Sequence, residues 1–501
     1  MTGVTRRRFL RASLASGLAF ALPGRGIAAA PLSKPRGANG DVRVAMIGLG
    51  EVGGPGVGAR GRQLIDQLRK VPNVRIVALC DVDERILGRE AERFSAWREG
   101  VRRYADMRDV FDAPDIDAVF VATPNHWHAL ATIWACQAGK DVFVEKPAAH
   151  NIWEGRQMVA AARKYERIVQ VGTQARSSDA SRQAAEFLQT GQLGKILYAQ
   201  VIVYRRREGI GKTAGPQKPP ASVDYNLWLG PAPDAPPLRS VFHYDWHWFW
   251  DTGNGEIGNN GVHYLDRCRW LIGQNGLPRR AISLGGRFAF NDDGQTPNTQ
   301  IALLDYAPAP IVCEVRGLPV RPGSRKMDTV RELAMGVIVQ CEGGYYLGGS
   351  ASSAVYDRGD RRIKEFTDRL DPDEQASAHP ANFIEAVRSR DPSHLNCEVL
   401  EGHRSAALCH MANISYRLGR ASQPDAATGA AKNSPQWSDA CERFAEHLAA
   451  NGIDLAKTPA TLGPWVTISP DSEEFVGESA AEARALCRRK DREPFVVPET
   501  V

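Results

Sequence analysis

The apolar run DVFV (141–144) ends on Glu145-Lys146-Pro147. An ammonium at the end of a buried strand can offset charge developing on a substrate oxygen, and a neighbouring carboxylate can fix its position. A second group lies in FHYDWHWFWDTGNGEIGNNGVHYLDRCRWLIG (242–273), which crowds aromatics before a glycine-rich turn and a helix carrying His263 and Asp266. Trp246, Trp248 and Trp250 offer flat apolar faces of the kind sugar rings stack on, and His243, Asp245 and His247 offer hydroxyl partners. The same tryptophans alternate as core residues of a strand would, so both readings stand. His126 and His128 have no carboxylate or cysteine at ligand spacing, and no metal is expected.

The third group is IGLGEVGGPGVGARGRQL (47–64). Gly48 and Gly50 begin a dinucleotide fingerprint that closes either on Gly53 or, across an insertion, on Gly61. In either register the glycines bring backbone N–H groups and a helix N-terminus up to a pyrophosphate. Asp81 ends the next strand, 33 positions after Gly48. Removing an insertion of about eight residues brings that spacing toward the usual value of about 20, which favours Gly61. A carboxylate there accepts ribose hydroxyls and repels a 2′-phosphate, so NAD is expected over NADP. Arg60, which opens the following helix, and Gln174, which closes VQVGTQ (169–174), are read as cofactor-facing.

Positioning these groups requires an open parallel sheet. VRVAMIG (42–48), Val74–Cys80, IDAVFVAT (116–123) and DVFV read as buried strands alternating with helices, a doubly wound α/β pattern that gathers ligands beyond the carboxyl ends of its strands. This domain is placed at 41–165. Long alternating strands follow at 195–205, 281–290 and 310–318, which predicts an α+β domain over 166–420 with a large, mostly antiparallel open sheet. A C-terminal extension with its own helix occupies 421–501.

VATPNHWHALATIWACQAGKDVFVEKP (121–147) resembles the Gfo/Idh/MocA family of sugar and polyol oxidoreductases, through Thr123-Pro124-Asn125, His128, Gly139-Lys140 and Glu145-Lys146-Pro147. The resemblance covers roughly residues 41–420. It implies that Thr123, Asn125, His128, Glu145 and Lys146 border the nicotinamide cofactor, that Lys146 faces the substrate hydroxyl, and that the bond before Pro147 is cis. It also implies an acid/base set of lysine, aspartate and histidine. His263 matches the histidine, but Asn259 stands where the family has aspartate, so Lys146, His263 and Asn259 form the catalytic expectation. Trp246, His247, Trp248, Arg206 and Asn260 form the substrate expectation, and the family's exposed sheet implies a homo-oligomer. The activity implied is hydride transfer between a sugar-like alcohol and a bound nicotinamide. A redox-neutral lyase or epimerase cycle through a keto-sugar is the alternative, and a non-catalytic NAD- or sugar-binding scaffold is a third.

The start, MTGVTRRRFLRASLASGLAFALPGRGIAAAP, resembles a Tat signal peptide over residues 1–30, with Arg6-Arg7 ahead of a short apolar stretch. This implies the Tat machinery as a partner and a periplasmic or otherwise exported protein. Such a route carries folded chains, which suits a cofactor inserted before export. Lys+Arg of 63 against Asp+Glu of 58 leaves a small surplus spread along the chain, and no nucleic-acid partner is implied. The 9 cysteines follow no bridge or zinc spacing and read as core residues.

Overall fold

The computed structural model describes residues 40–51, 59–349 and 353–501. The expected signal peptide, the arm before residue 40 and residues 52–58 of the glycine-rich insertion, Gly53 among them, lie outside the described residues.

Strands β1 (Val42–Ile47), β2 (Val74–Cys80), β3 (Arg102–Tyr104), β4 (Ala118–Val121), β5 (Asp141–Val144) and β6 (Val169–Val171) form a parallel sheet in the order β3-β2-β1-β4-β5-β6. Their apolar runs are sandwiched between helices, so β4 and β5 are buried at every position. Phe120 of β4 and Phe143 of β5 stack at 4.9 Å, and Phe383 meets Phe120 edge-on at 5.3 Å. Phe383 belongs to the helix Pro372–Ser389, so a late segment completes this early core. The sheet also reaches past the expected boundary at 165, because β6 pairs in parallel with β5. The strand order reverses at β1, with β2 and β3 on one side and β4 to β6 on the other, and the resulting crevice is where the candidate residues meet.

The second sheet contains β7 (Ile196–Tyr204), β8 (Arg280–Gly286), β9 (Thr299–Leu304), β10 (Ile311–Arg316), β11 (Met335–Cys341), β12 (Gly344–Gly348), β13 (Ser353–Asp357), β14 (Arg362–Phe366), β15 (Arg420–Ser422) and β16 (Ala460–Leu462). Its order is β14-β13-β12-β11-β7-β10-β9-β8-β16-β15. Pairing along this path is antiparallel except between β7 and β10, which run parallel. Alternation divides its side chains: Val201, Ala302, Cys313 and Val339 face the helices Val262–Leu271 and Val399–Arg417, and Ile282, Ile301, Leu303 and Val312 face the opposite way.

That opposite face is covered by the chain's own C-terminal segment. Trp437, Phe444 and Leu448 of the helix Pro435–Ala450 lie on β8, β9 and β10. The surface expected to meet a second copy is therefore largely closed over these strands. The last residues return to the first domain, where Phe495 and Val497 pack into the cluster that holds Trp127. The segment 421–501 is thus built into the fold rather than trailing from it. All nine cysteines are free and buried.

Candidate active site

The first wall of the crevice is shaped by backbone. Gly48 and Gly50 adopt φ of 82° and 81°, which an L side chain rarely adopts. A Cβ on Gly48 would lie 2.8 Å from the main chain of Ala122, and one on Gly61 would collide with the Gly48 carbonyl. Gly61 is therefore the glycine that lets the helix Arg60–Leu68 close onto β1. The Asp81 carboxylate accepts from Leu49 N at 2.7 Å and from Asp83 N at 2.9 Å. Burial pushes its pKa up, against these donors. Each oxygen keeps a lone pair for a ribose hydroxyl. The buried Thr123 Oγ1 and Arg60 Nη2, both from residues lining the cleft, have no protein partner. Two tight glycines, a strand-end carboxylate, an unmatched donor at a helix start and an unmatched hydroxyl fit NAD.

Glu145 and Lys146 sit where β5 opens into this crevice, before a cis bond to Pro147. Glu145 accepts from Arg60 Nε at 2.7 Å and from Gln174 Nε2 at 3.3 Å. Burial would raise its pKa, but Arg60 and Lys146 outweigh burial and hold it below the usual range. Lys146 Nζ donates to the Asn259 carbonyl at 2.9 Å and to Asn259 Oδ1 at 3.1 Å. An ammonium has three N–H bonds, so one remains for the cleft. Burial lowers the Lys146 pKa, with Glu145 opposing.

His128 has a supporting place. Its ring nitrogens lie 2.7 Å from the Pro147 carbonyl and 2.8 Å from the Thr123 carbonyl. Burial, the larger effect, lowers its pKa, while the two carbonyls, each able to accept an N–H from the ring, act in the opposite direction. Asn125 donates to Asn254 Oδ1 at 2.9 Å. Lys140 is consumed by the Ala113 and Ile116 carbonyls.

The second wall is built from side chains. Asn259 lies in a π-helical turn, Ile257–Gly261, a wide geometry common at functional sites, and His263 follows one turn later on the helix Val262–Leu271. Burial and then Lys146 push the His263 pKa down to about 3. Asp266 does not cap this ring: it is bound by Arg176 Nε at 3.0 Å and Ser405 Oγ at 2.6 Å. His247 lines the same cleft, its Nδ1 2.6 Å from the Tyr244 carbonyl and its ring stacked on Trp246 at 3.7 Å. Burial lowers its pKa to about 3 as well. Nδ1–H on the carbonyl leaves Nε2 as a bare acceptor.

Several expectations need correction. Arg206 turns away from the cleft to Glu208, at 2.5 Å, and its neighbours Arg205 and Arg207 face in. Main-chain bonds from Arg205 to Arg316 O and from Arg207 to Gly317 O continue the strand, and strand alternation separates 206 from 205 and 207. Trp246 lines the cleft, but Trp248 is buried behind it with the Arg207 guanidinium 5.2 Å over its ring, and Trp250 packs near Tyr416. The aromatic block is no strand: Asp245–Trp248 is a 3₁₀ turn. His243 pairs with Asp83 at 2.9 Å, and Asp245 is buried outside the cleft. Asn260 borders the cleft, accepting from Arg205 at 3.3 Å and donating to Glu256 at 2.5 Å. The sequence reading draws Arg206 alone from the run Arg205-Arg206-Arg207 and does not name Glu256 or Tyr244, although the strand period could have selected the two flanking arginines.

Residues 42–173 match the NAD-binding Rossmann-fold model of the GFO_IDH_MocA oxidoreductase family, and residues 204–286 match its C-terminal α/β domain. A levoglucosan dehydrogenase of Pseudarthrobacter phenanthrenivorans is 28% identical over 203 residues, 38% of this chain and 45% of that protein. A glycosyl hydrolase family 109 protein of Shewanella sp. (strain ANA-3) is 31% identical over 171 residues, 31% of this chain and 36% of that protein. The matches thus span less than half of these curated relatives. The crystal structure of the WlbA dehydrogenase from Bordetella pertussis, in complex with NADH and UDP-GlcNAcA, shares the fold with a TM-score of 0.54 at 19% identity, over 75% of this chain and 97% of that one.

Proposed function

This chain carries both domains of the Gfo/Idh/MocA oxidoreductase family, in order along the sequence, and from that premise we propose that it is an exported, NAD-dependent oxidoreductase acting on a ring hydroxyl of a sugar. The observation that carries the reading is Lys146, with two N–H bonds fixed on Asn259 and the third left for the cleft. Bound NAD supplies the hydride acceptor. With the C–H hydride going to that acceptor, the chain's own residues would handle the hydroxyl, whose O–H bond breaks as the carbinol becomes a carbonyl. Lys146 donates to the oxygen as charge grows there, worth about 10²–10⁴-fold in rate. His263, held neutral by burial, takes the proton.

Asn259 is a positioning residue in this reading, because it holds Lys146 and has no bond to His263. Lacking a carboxylate, it also leaves the Lys146 charge free for substrate. The resemblance of residues 1–30 to a Tat signal peptide supports export by the Tat route, which would separate the protein from the cytoplasmic NAD pool. At an affinity of about 1 nM and an association rate of about 10⁶ M⁻¹s⁻¹, NAD would leave in about a quarter of an hour, so the cofactor must be held still more tightly. A retained cofactor needs a second half-reaction to reset it. One specific feature supports a redox-neutral cycle: His247 is a second neutral base in the same cleft, so hydroxyl and adjacent C–H protons have separate acceptors. The helix over β8–β10 supports action without a partner subunit on that face.

The test is to purify the full-length protein from the periplasm, measure its dinucleotide content, and incubate it without added NAD with a panel of sugars and glycosides. We expect close to one dinucleotide per chain, with products formed by oxidation paired to a second sugar or by a redox-neutral route. Protein that arrives empty and works only with added NAD contradicts retention. No change in cofactor absorbance or products with any sugar contradicts the activity.

A further inference from the structure

We propose that the sugar accepted by this cleft is anionic, carrying an oxyanion that Arg205 receives; the proposal rests on the sugar reading above and names its substrate class. Continued pairing with β10 places Arg205 and Arg207 on the same side of the extended chain after β7, both lining the cleft. Their surroundings differ. Arg207 donates to Glu256 through Nε at 3.0 Å and through Nη2 at 2.8 Å and 3.0 Å, and donates to the Tyr244 hydroxyl at 2.8 Å. The remaining donor on Glu256 is Asn260 Nδ2. The Glu256 carboxylate is therefore occupied by Arg207 and an amide.

Arg205 meets only the neutral Oδ1 of Asn260, at 3.3 Å, and no carboxylate lies within ion-pairing distance of it among the described residues. It is half-buried in a concave wall, where a cation is less screened than on open surface. Its location is also informative. Asn260 is the chain neighbour of Asn259, which holds Lys146, so Arg205 stands at the reacting end of the cleft. The pyrophosphate end is at the glycine turn and Arg60, and Arg60 is already paired with Glu145. After the Arg60–Glu145 and Arg207–Glu256 pairs, the uncompensated charges on the substrate side are Lys146 and Arg205. Lys146 is aimed at the oxygen that changes charge during reaction. Arg205 is left for a permanent anion elsewhere on the ring, which a guanidinium receives through two parallel N–H bonds. A sugar carboxylate and a sugar phosphate ester share this chemistry.

The experiment uses the NAD-loaded full chain and matched pairs: methyl glucoside with methyl glucuronide, their galacto and manno counterparts, and glucose with glucose 6-phosphate. Calorimetric binding and nicotinamide absorbance are read for the wild type, Arg205→Gln and Arg205→Lys, with folding checked by thermal melts. The wild type should bind one anionic series about 10–100-fold more tightly than its neutral partners, the gain expected of a charge-assisted pair, and the series that shows it separates carboxylate from phosphate. The preference should vanish in Arg205→Gln and survive in part in Arg205→Lys. Equal or tighter binding of the neutral partners, no binding of any anionic member, or a preference unchanged in Arg205→Gln each overturns the proposal. If Arg205→Gln fails to fold, a preference in Arg205→Lys that is reduced from the wild-type value supports the proposal, and a full wild-type preference in it overturns the proposal. An Arg205-dependent preference with neither a change in nicotinamide absorbance nor a product from any sugar would leave this inference standing and defeat the oxidoreductase reading.

Discussion

The two walls of the cleft are held by different means. On the first, the chain's own backbone sets the geometry: Gly61 on the Gly48 carbonyl, Asp81 under the Leu49 amide, His128 between two carbonyls. On the second, a network of side chains does so: Arg207 on Glu256, Glu256 on Asn260, Asn260 on Arg205, and Lys146 reaching across to Asn259. A backbone-built wall tolerates little substitution and binds one invariant ligand. A side-chain wall can change its charge and shape without disturbing the fold, which is where specificity belongs.

The largest effect should come where the walls meet. Lys146→Ala should lower turnover by about two to four decades with dinucleotide content and melting temperature nearly unchanged. Steady-state rates within threefold of wild type would remove Lys146 from the chemistry. Next is the first wall: Gly61→Ala forces a methyl group into the Gly48 carbonyl and should cost about 3 kcal/mol together with most of the bound dinucleotide, read by denaturant unfolding and by cofactor content. A stable, cofactor-loaded Gly61→Ala protein would mean that this wall is not fixed by backbone contact.

On the second wall, Glu256→Gln leaves Arg207, which has a side-chain exposure of 12%, without its carboxylate. Stability should fall by about 2 kcal/mol, less than the loss of a fully buried partner, and sugar affinity should change with bound dinucleotide retained. Loss of the dinucleotide as well would show that the walls are not separable.

The first wall was legible because its signals are local. Glycines, a strand-end aspartate and the EKP triplet each report a backbone requirement a few residues long, and the structure brings Gly48, Gly50, Asp81 and Lys146 into one crevice, with Gly61 packed against the Gly48 carbonyl behind it. Asn125 and His128 also line that crevice, Asn125 held by the Asn254 side chain and His128 between two main-chain carbonyls, partners that the pattern alone does not name. The second wall was legible only in part. The even spacing of Trp246, Trp248 and Trp250 suggests a strand, but the 3₁₀ turn gives a different period and buries Trp248. Arg206 stands in the middle of a run of three arginines, and strand alternation sends it outward while Arg205 and Arg207 line the cleft. Which arginine Glu256 neutralises depends on two segments about 50 positions apart, a relation that single-sequence periodicity does not contain.

The smallest expected effect bears on the contact between the walls. His263 has its pKa lowered to about 3, so a neutral base is available through mildly acidic pH, and the acid limb of activity should lie well below the ordinary histidine range. Asn259→Asp puts a carboxylate beside Lys146 and one helical turn from His263, which favours the imidazolium and should move that limb upward by about one unit. A pH–rate profile unchanged by the substitution would uncouple His263 from Asn259 or from proton transfer.

The central claim is that a hydrogen moves from a sugar carbon to a dinucleotide the protein already holds, beside Lys146. It is tested most directly by mixing purified holoprotein, without added NAD, with a converted sugar deuterated at each carbinol carbon in turn, and weighing the dinucleotide released by denaturation at intervals within the first turnover. Deuterium from one ring position should appear in the dinucleotide of the wild-type protein and be absent from that of Lys146→Ala over the same interval. A sugar that is converted while the dinucleotide acquires deuterium from no position would contradict the account.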